Sequence, residues 1–239
     1  MRILITNDDG INAPILPIFA RWAQKLGEVT VVAPKFEQSG KSQALEFNHE
    51  VEIKRAEFPV DCEAWAMDST PADCVRWATT GLGKRYDLVL SGINYGYNLG
   101  HDVVYSGTVG AIFEAARTGM KAIAFSTDFD TFDYALSELD RVYGFITERE
   151  MLSVAQVLNV NIPTQKCQGI LVTRQGGRFF TDEFLPRGND MFLQVGDPIF
   201  EQGDDLTIDV NAVRNGYISI TPLTTARTDF AAYEALRTL

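Results

Sequence analysis

Only three of the 239 residues are cysteine, Cys62, Cys74 and Cys167, and no two of them form a C-x-x-C pair. That spacing excludes a disulfide framework and a zinc site built on paired thiolates. There are two histidines, His49 and His101, so an imidazole-rich metal cluster is excluded as well. Basic residues are scarce: 21 Lys and Arg stand against 32 Asp and Glu, a net charge of -11. Neutralising a nucleic-acid backbone needs a basic face, so no nucleic-acid polymer is expected as a partner. No apolar run approaches the roughly twenty residues of a membrane helix, and no basic-then-apolar leader opens the sequence. The expectation is a cytoplasmic protein with reduced thiols and no membrane attachment.

What is present is the pattern of an α/β fold. Hydrophobic residues make up 46% of the chain, enough for the core of one large domain spanning residues 1–239. Arg2 to Thr6 reads as a buried strand that stops at Asn7-Asp8-Asp9-Gly10. Asp-Gly also suits a hairpin turn, but Leu16, Phe19, Ala20, Ala23 and Leu26 recur at helical spacing, with Pro14 suited to the first turn and Gly27 as a stop. Glu28 to Ala33, closed by Pro34, completes a strand, helix, strand unit of the right-handed parallel kind. This puts Asp8 and Asp9 at the carboxyl edge of a parallel sheet, where open α/β folds bind ligands.

Further along, 44–47, 51–54 and 64–67 read as small marginal strands, antiparallel in arrangement. Thr70 is an N-cap and Pro71 the first turn of a helix running to Gly81. Leu88 to Leu90 is a strand emptying into the glycine-rich stretch Ser91 to Asp102, and Ser106 to Ala116 is a helix ended by Gly119. Ala122 to Ser126 is another strand, 132–158 is helical with a break near Thr147, and Ile170 to Thr173 resumes strand structure. Residues 176–215 read as hairpins or a projecting arm, serving assembly rather than chemistry. Tyr217 to Leu223 is the last strand, and a short helix follows from Thr228. Residues 1–175 thus form a Rossmann-like core of mainly parallel sheet with flanking helices, and 176–239 carry an arm for oligomerisation, the last strand and the terminal helix.

Three sheet-edge loops bear the chemistry. They bring together the carboxylates of Asp8 and Asp9, the side-chain oxygens of Ser39 and Asn94, and a helix start at Ser106-Gly107-Thr108. An all-oxygen set suits a hard divalent ion such as Mg²⁺ or Mn²⁺. The unsatisfied amides and dipole of a helix start favour phosphate, although Ser106 or Thr108 also serves equally well as a plain N-cap. Metal beside an anion site points to metal-assisted hydrolysis of a phosphate ester. Ser39-Gly40-Lys41-Ser42 lacks the earlier glycine and the following helix of a P-loop. His101, inside the glycine-rich stretch, is a weaker candidate for the same site.

Together, Ile3 to Ile11, the Ser39-Gly40 loop, Ser91-Gly92-Ile93-Asn94 with Asn98-Leu99-Gly100, and Tyr105-Ser106-Gly107-Thr108-Val109 resemble the SurE family of nucleotidases. Thr70 to Val75 and Gly216 to Leu223 extend the resemblance over nearly the whole chain. It implies a Rossmann-like fold with a C-terminal exchange arm forming homodimers or homotetramers. It also implies a metal-dependent phosphatase acting on nucleoside 5′- and 3′-monophosphates, with some members degrading short polyphosphate. The family's metal ligands fall on Asp8, Asp9, Ser39 and Asn94, one Mg²⁺ or Mn²⁺ ion per subunit, and its phosphate cradle on Gly40, Ser106, Gly107 and Thr108. Asp8 and Asp9 are the expected catalytic residues, Asp9 as the group acting on the attacking water. Two departures stand out: Ala13-Pro14-Ile15-Leu16 replaces the family's Ala-Pro-Gly-Ile, and the stretch from Gly176 to Asp205 is shorter than the family's.

Two signalling or phosphotransfer classes fit less well. A receiver domain needs a phosphoacceptor Asp after its central strand, where this chain has Ser91-Gly92, and haloacid-type phosphatases need Asp-x-Asp. A non-catalytic module that senses a nucleotide or phosphate is the remaining alternative, since binding residues alone do not imply turnover.

Overall fold

The first strand, β1 (Arg2–Thr6), is apolar on both faces: Ile3 and Ile5 pack into one buried cluster and Leu4 into another. Such a strand must be covered on both sides. In the computed structural model, which describes residues 1–199 and 203–238, helices α1 (Ile15–Gln24) and α4 (Asp133–Glu148) cover one face. Helices α2 (Pro71–Thr80) and α3 (Gly107–Arg117) cover the other. Residues 200–202, within the expected arm, and 239, within the expected terminal helix, lie outside the described residues.

The sheet comprises β2 (Glu28–Pro34), β3 (Ile53–Arg55), β4 (Glu63–Met67), β5 (Leu88–Tyr95), β6 (Lys121–Thr127), β7 (Val157–Asn161), β8 (Gly169–Val172) and β11 (Tyr217–Leu223) together with β1. Their spatial order is β3-β4-β2-β1-β5-β6-β7-β11-β8. From β4 across to β7 every neighbour is parallel, while β3 and β11 pair antiparallel with β4 and β7. The chain builds outward from β1 to β2 and β4, then returns to build β5, β6 and β7 on the other side. The carboxyl ends of β1 and β5 therefore flank the topological switch point, the crevice where doubly wound sheets take ligands. A separate antiparallel hairpin is formed by β9 (Glu183–Gly188) and β10 (Met191–Val195). A 3₁₀ turn (Gly100–Tyr105) and the short helices α5 (Met151–Val154), α6 (Asp209–Arg214) and α7 (Phe230–Leu236) complete the described elements.

Several expectations need correcting. Residues 44–47 form no strand, because their backbone groups serve the cap of α2: Thr70 Oγ1 donates to the Ala44 carbonyl and the Glu46 N–H donates to Asp73. β4 is a parallel member of the main sheet, so only β3 is antiparallel at that margin. Pro14 sits just outside α1, at its N-cap. The helical stretch does not reach 158: α4 ends at Glu148, Glu150 adopts a left-handed backbone (φ 50°), and Val157 onward is strand β7. β5 runs on through Asn94 to Tyr95 rather than stopping at Leu90. The stretch 176–215 holds helix α6 besides the hairpin.

One buried ionic cluster fastens the second helical layer. Glu114 on α3 is 1% exposed and accepts from Arg76 on α2 (3.0 Å), from Arg117 (2.7 Å) and from Gln43 (3.1 Å). Burial pushes its carboxyl up, but the partners outweigh burial and hold it below the usual carboxylate range. A depressed carboxylate stabilises the fold above its ordinary value of 4.5 and ceases to do so as pH falls through the lower folded value. Glu114→Ala should cost about 2–4 kcal/mol, less than a fully buried pair because both arginines reach solvent. Urea denaturation at pH 7 should show a lower midpoint with an unchanged m-value, and the difference from the parent should shrink below pH 4.5.

Candidate functional site

The site begins where β1 ends. The side chain of Asn7 closes the turn on itself, donating to the Gly10 carbonyl (3.0 Å) and accepting from the Gly10 N–H (3.2 Å). With the turn held, the second edge loop docks on it: Gln38 N–H donates to the Asp8 carbonyl and Ile11 N–H to the Pro34 carbonyl, each at 2.7 Å. The two loops after β1 and β2 are thus one backbone unit, which brings Ser39 and Gly40 to the rim of the crevice.

Asp8 is buried and accepts a short hydrogen bond from Thr108 Oγ1 at the start of α3. The same hydroxyl lies 3.3 Å from Asn94 Oδ1, and Asn94 Nδ2 donates to the Gly96 carbonyl (2.7 Å). Three expected residues from three elements therefore meet around one hydroxyl. Gly107 makes the approach possible: a Cβ there would lie 3.1 Å from the Asp8 side chain and 3.2 Å from the Gln38 carbonyl. A side chain there would force the start of α3 or the Asp8 side chain to give by a few tenths of an ångström. Ser106 is the N-cap, its Oγ accepting from Val109 N–H at 3.1 Å, so the plain capping role is real. Its own hydroxyl proton remains available.

Electrostatics give the strongest signal. Burial raises the Asp8 carboxyl above its ordinary value, against the hydrogen bonds from Thr108, and Glu37 adds to the rise. Asp9 is pushed up to about 7 by burial, then by Asp8 and Glu37, with the Tyr95 N–H pulling the other way. Asp9 Oδ2 is buried with no hydrogen-bond partner. Adjacent carboxylates raised in this way, one with an orphaned oxygen, are what a cation would satisfy. The oxygens around them are hard donors, and since among the described residues no group of three or more His, Cys, Asp or Glu is gathered to hold a metal ion, neutral oxygens would have to complete the set here. The set therefore fits a hard divalent ion bound by carboxylate and neutral oxygens.

An open cleft of about 410 Å³ lies over this point, lined on the sheet-edge side by Asp8, Ser39, Gly40, Asn94 and Ser106. Asp9, Gly107 and Thr108 stand behind that wall. Ser39 Oγ donates to Glu37 at 2.7 Å, which leaves its lone pairs free. His101 does not join the site: it is exposed, outside the cleft lining, with its N–H bonded to the Gly177 carbonyl (2.9 Å).

Some residues at this site were not apparent in the sequence. Asn159 and Asn161 on β7 both donate to the Asn98 carbonyl (2.8 and 2.9 Å), and Asn161 Oδ1 accepts the Asn98 N–H (2.8 Å). They fix the glycine-rich loop. Two asparagines alternating with apolar residues would have shown them, had the segment been read as a strand. Asp209, buried at the start of α6, accepts from Gly100 N–H (2.9 Å) and Gly176 N–H (3.1 Å). The stretch assigned to assembly also supplies cleft wall, through Phe180 to Asp182 and Gln194 to Gly196.

This fold and this edge have counterparts among known proteins. The family model for Survival protein SurE matches residues 3–182. A 5′-nucleotidase SurE from Pelotomaculum thermopropionicum is 39% identical over 251 aligned positions, covering 100% of this chain and 95% of that protein. Another from Vibrio cholerae is 36% identical over 248 positions, covering 100% and 96%. The crystal structure of the SurE protein from Aquifex aeolicus matches with a TM-score of 0.81 at 33% identity, over 100% of this chain and 99% of that one. With a likeness in sequence and backbone that extends over the entire length, the chain belongs to the SurE family.

Proposed function

We propose that this chain is a metal-dependent nucleotidase that hydrolyses nucleoside 5′-monophosphates, and 3′-monophosphates, to nucleoside and phosphate, with short polyphosphate as a further substrate. The observation that carries this reading is the meeting of Asp8, Asn94 and Thr108 at the switch point, against the amide end of α3. One Mg²⁺ or Mn²⁺ ion per subunit would be held by Asp8, Asp9, Ser39 and Asn94. When bound, such an ion supplies Lewis-acid stabilisation of phosphoryl charge and makes water more acidic. The chain's own groups do the rest. The Ser106 hydroxyl, the backbone of Gly40 and Gly107 and the N-terminal turn of α3 take the phosphate oxygens. Thr108 completes that turn and fixes the orientation of Asp8. Asp9, adjacent to Asp8, would hold or move the proton of the attacking water.

The hairpin β9–β10 and helix α7 expose Phe184, Met191, Phe192, Phe230, Tyr233 and Leu236. Large apolar side chains left on projecting elements support assembly into a homodimer or homotetramer. No helix among the described residues is long and apolar enough to cross a membrane, and Cys62, Cys74 and Cys167 are free thiols, which supports residence in the reducing cytoplasm.

Phosphate release from a panel of nucleoside monophosphates tests the activity. Turnover with Mn²⁺ or Mg²⁺ should vanish with chelator, and Asp8→Asn should lower kcat at least about 100-fold. Binding without turnover under every metal would leave only a sensing module. Asp9→Asn should likewise lose about 100-fold at saturating Mn²⁺, and normal turnover in that variant would remove Asp9 from proton handling. Light scattering of the full chain should give a dimer or tetramer mass, and Phe192→Asp combined with Leu236→Asp should shift it toward the 26.6 kDa monomer. A parent chain that is already monomeric refutes the assembly.

A further inference from the structure

One group in the cleft has no part in holding metal or phosphate. Tyr95, the last residue of β5, and Phe129, just beyond β6, line the same cleft as Asp8 and Asn94 yet are 41% and 55% exposed. Phe129 is not a loosely placed side chain. Its ring meets Tyr95 edge-on, with centroids 5.4 Å apart and planes at 85°. Tyr95 leans in turn on Phe132, 5.5 Å away, which packs against the main core cluster. Gly96 (φ +122°) provides the seat: a Cβ there would fall 2.4 Å from the Phe129 ring. Positive φ and the absence of a side chain are both required for the ring to rest on that backbone.

A scattered exposed aromatic needs no explanation, but a ring fixed by two neighbours and presented inside a ligand cleft does. We infer that Phe129, seated on Gly96 and braced by Tyr95, is the platform on which the nucleobase of the substrate stacks, with purines preferred. This rests on the nucleotidase reading and adds the recognition of the base to it. The placement suits a nucleotide: Tyr95 follows Asn94 directly, and its N–H faces Asp9. The platform is thus joined to the phosphate end of the cleft through consecutive residues of one strand. Every base has a π-face, so a stacking platform discriminates by ring size rather than by hydrogen bonding. Purines, with the larger face, should therefore bind more tightly than pyrimidines, with little distinction between adenine and guanine.

The test compares adenosine monophosphate with ribose 5-phosphate, the same ester without a base, on the full-length protein with Mn²⁺. Phe129→Ala should lower the ratio of kcat/KM for the nucleotide over that for the sugar phosphate about 10- to 100-fold, through the KM for the nucleotide. Phe129→Trp should restore it. A ratio within twofold of the parent overturns the platform, as does a fall shared equally by both substrates. Calorimetric titration with adenosine monophosphate reads the same contact without turnover. If the parent hydrolyses no nucleotide, the nucleotidase reading is lost, and weaker binding by Phe129→Ala still supports the platform. Equal affinity in parent and variant, or no binding by the parent, overturns it.

Discussion

The hydrogen bond from Thr108 to Asp8 ties the end of the first strand to a helix start a hundred residues later, and the ligand end of the molecule is arranged around it. A buried carboxylate needs more than its own backbone N–H as donor, and Asn7 is occupied in closing the turn with Gly10. The donor must come from across the switch point, which requires β5 to lie beside β1 and α3 to start immediately over it. Gly107 permits that approach, and the pairing of Thr6 with Ser91 sets its register. The Glu114 cluster then locks α3 to α2, so the helix that supplies the donor cannot drift. Parallel order, glycine placement and a buried ionic knot all serve one short contact.

The half of the fold built from local signals was legible in the sequence. β1, β2, α2 with its Thr70 cap, α3 and β11 announce themselves through apolar alternation, helical spacing and capping residues, and the structure has them. The misreadings came where tertiary contacts replace local ones. Residues 44–47 alternate like a strand, yet their hydrogen bonds go to Thr70 and Asp73. Val157 and Leu158 continue the apolar pattern of the preceding helix, so 132–158 reads as helical, and only the pairing of Asn159 and Asn161 with the buried Asn98 backbone accounts for the strand they begin. The segment 64–67 reads as antiparallel because a strand's direction within a sheet is set by what it pairs with, and its sequence carries no trace of β2.

For the site, adjacency of side chains was legible and distance was not. Asp8 and Asp9 are neighbours in the chain, and their loop position follows from the strand before them. That Glu37 adds its charge to both depends on the second loop folding back through the Gln38 and Pro34 backbone, a contact between loops that no periodicity encodes. The aromatic lining was invisible for a similar reason. Tyr95 ends β5 and Phe129 lies in the turn beyond β6, and the glycine that seats one against the other reads in sequence as mere flexibility.

Asp209 hangs between the amides of Gly100 and Gly176, and that arrangement works as a splint. One end grips the turn that delivers α3 to the crevice; the other grips the chain as it leaves for the β9–β10 hairpin. The carboxylate is buried, which raises its pKa, and the backbone N–H groups offset part of that desolvation. Beyond the splint the same turn is held again, Asp102 accepting from the N–H groups of Phe179 (3.2 Å) and Phe180 (3.0 Å). The wall that Gln194 to Gly196 add to the cleft therefore belongs to a stretch tied back to the turn before α3, rather than to one hung free of it.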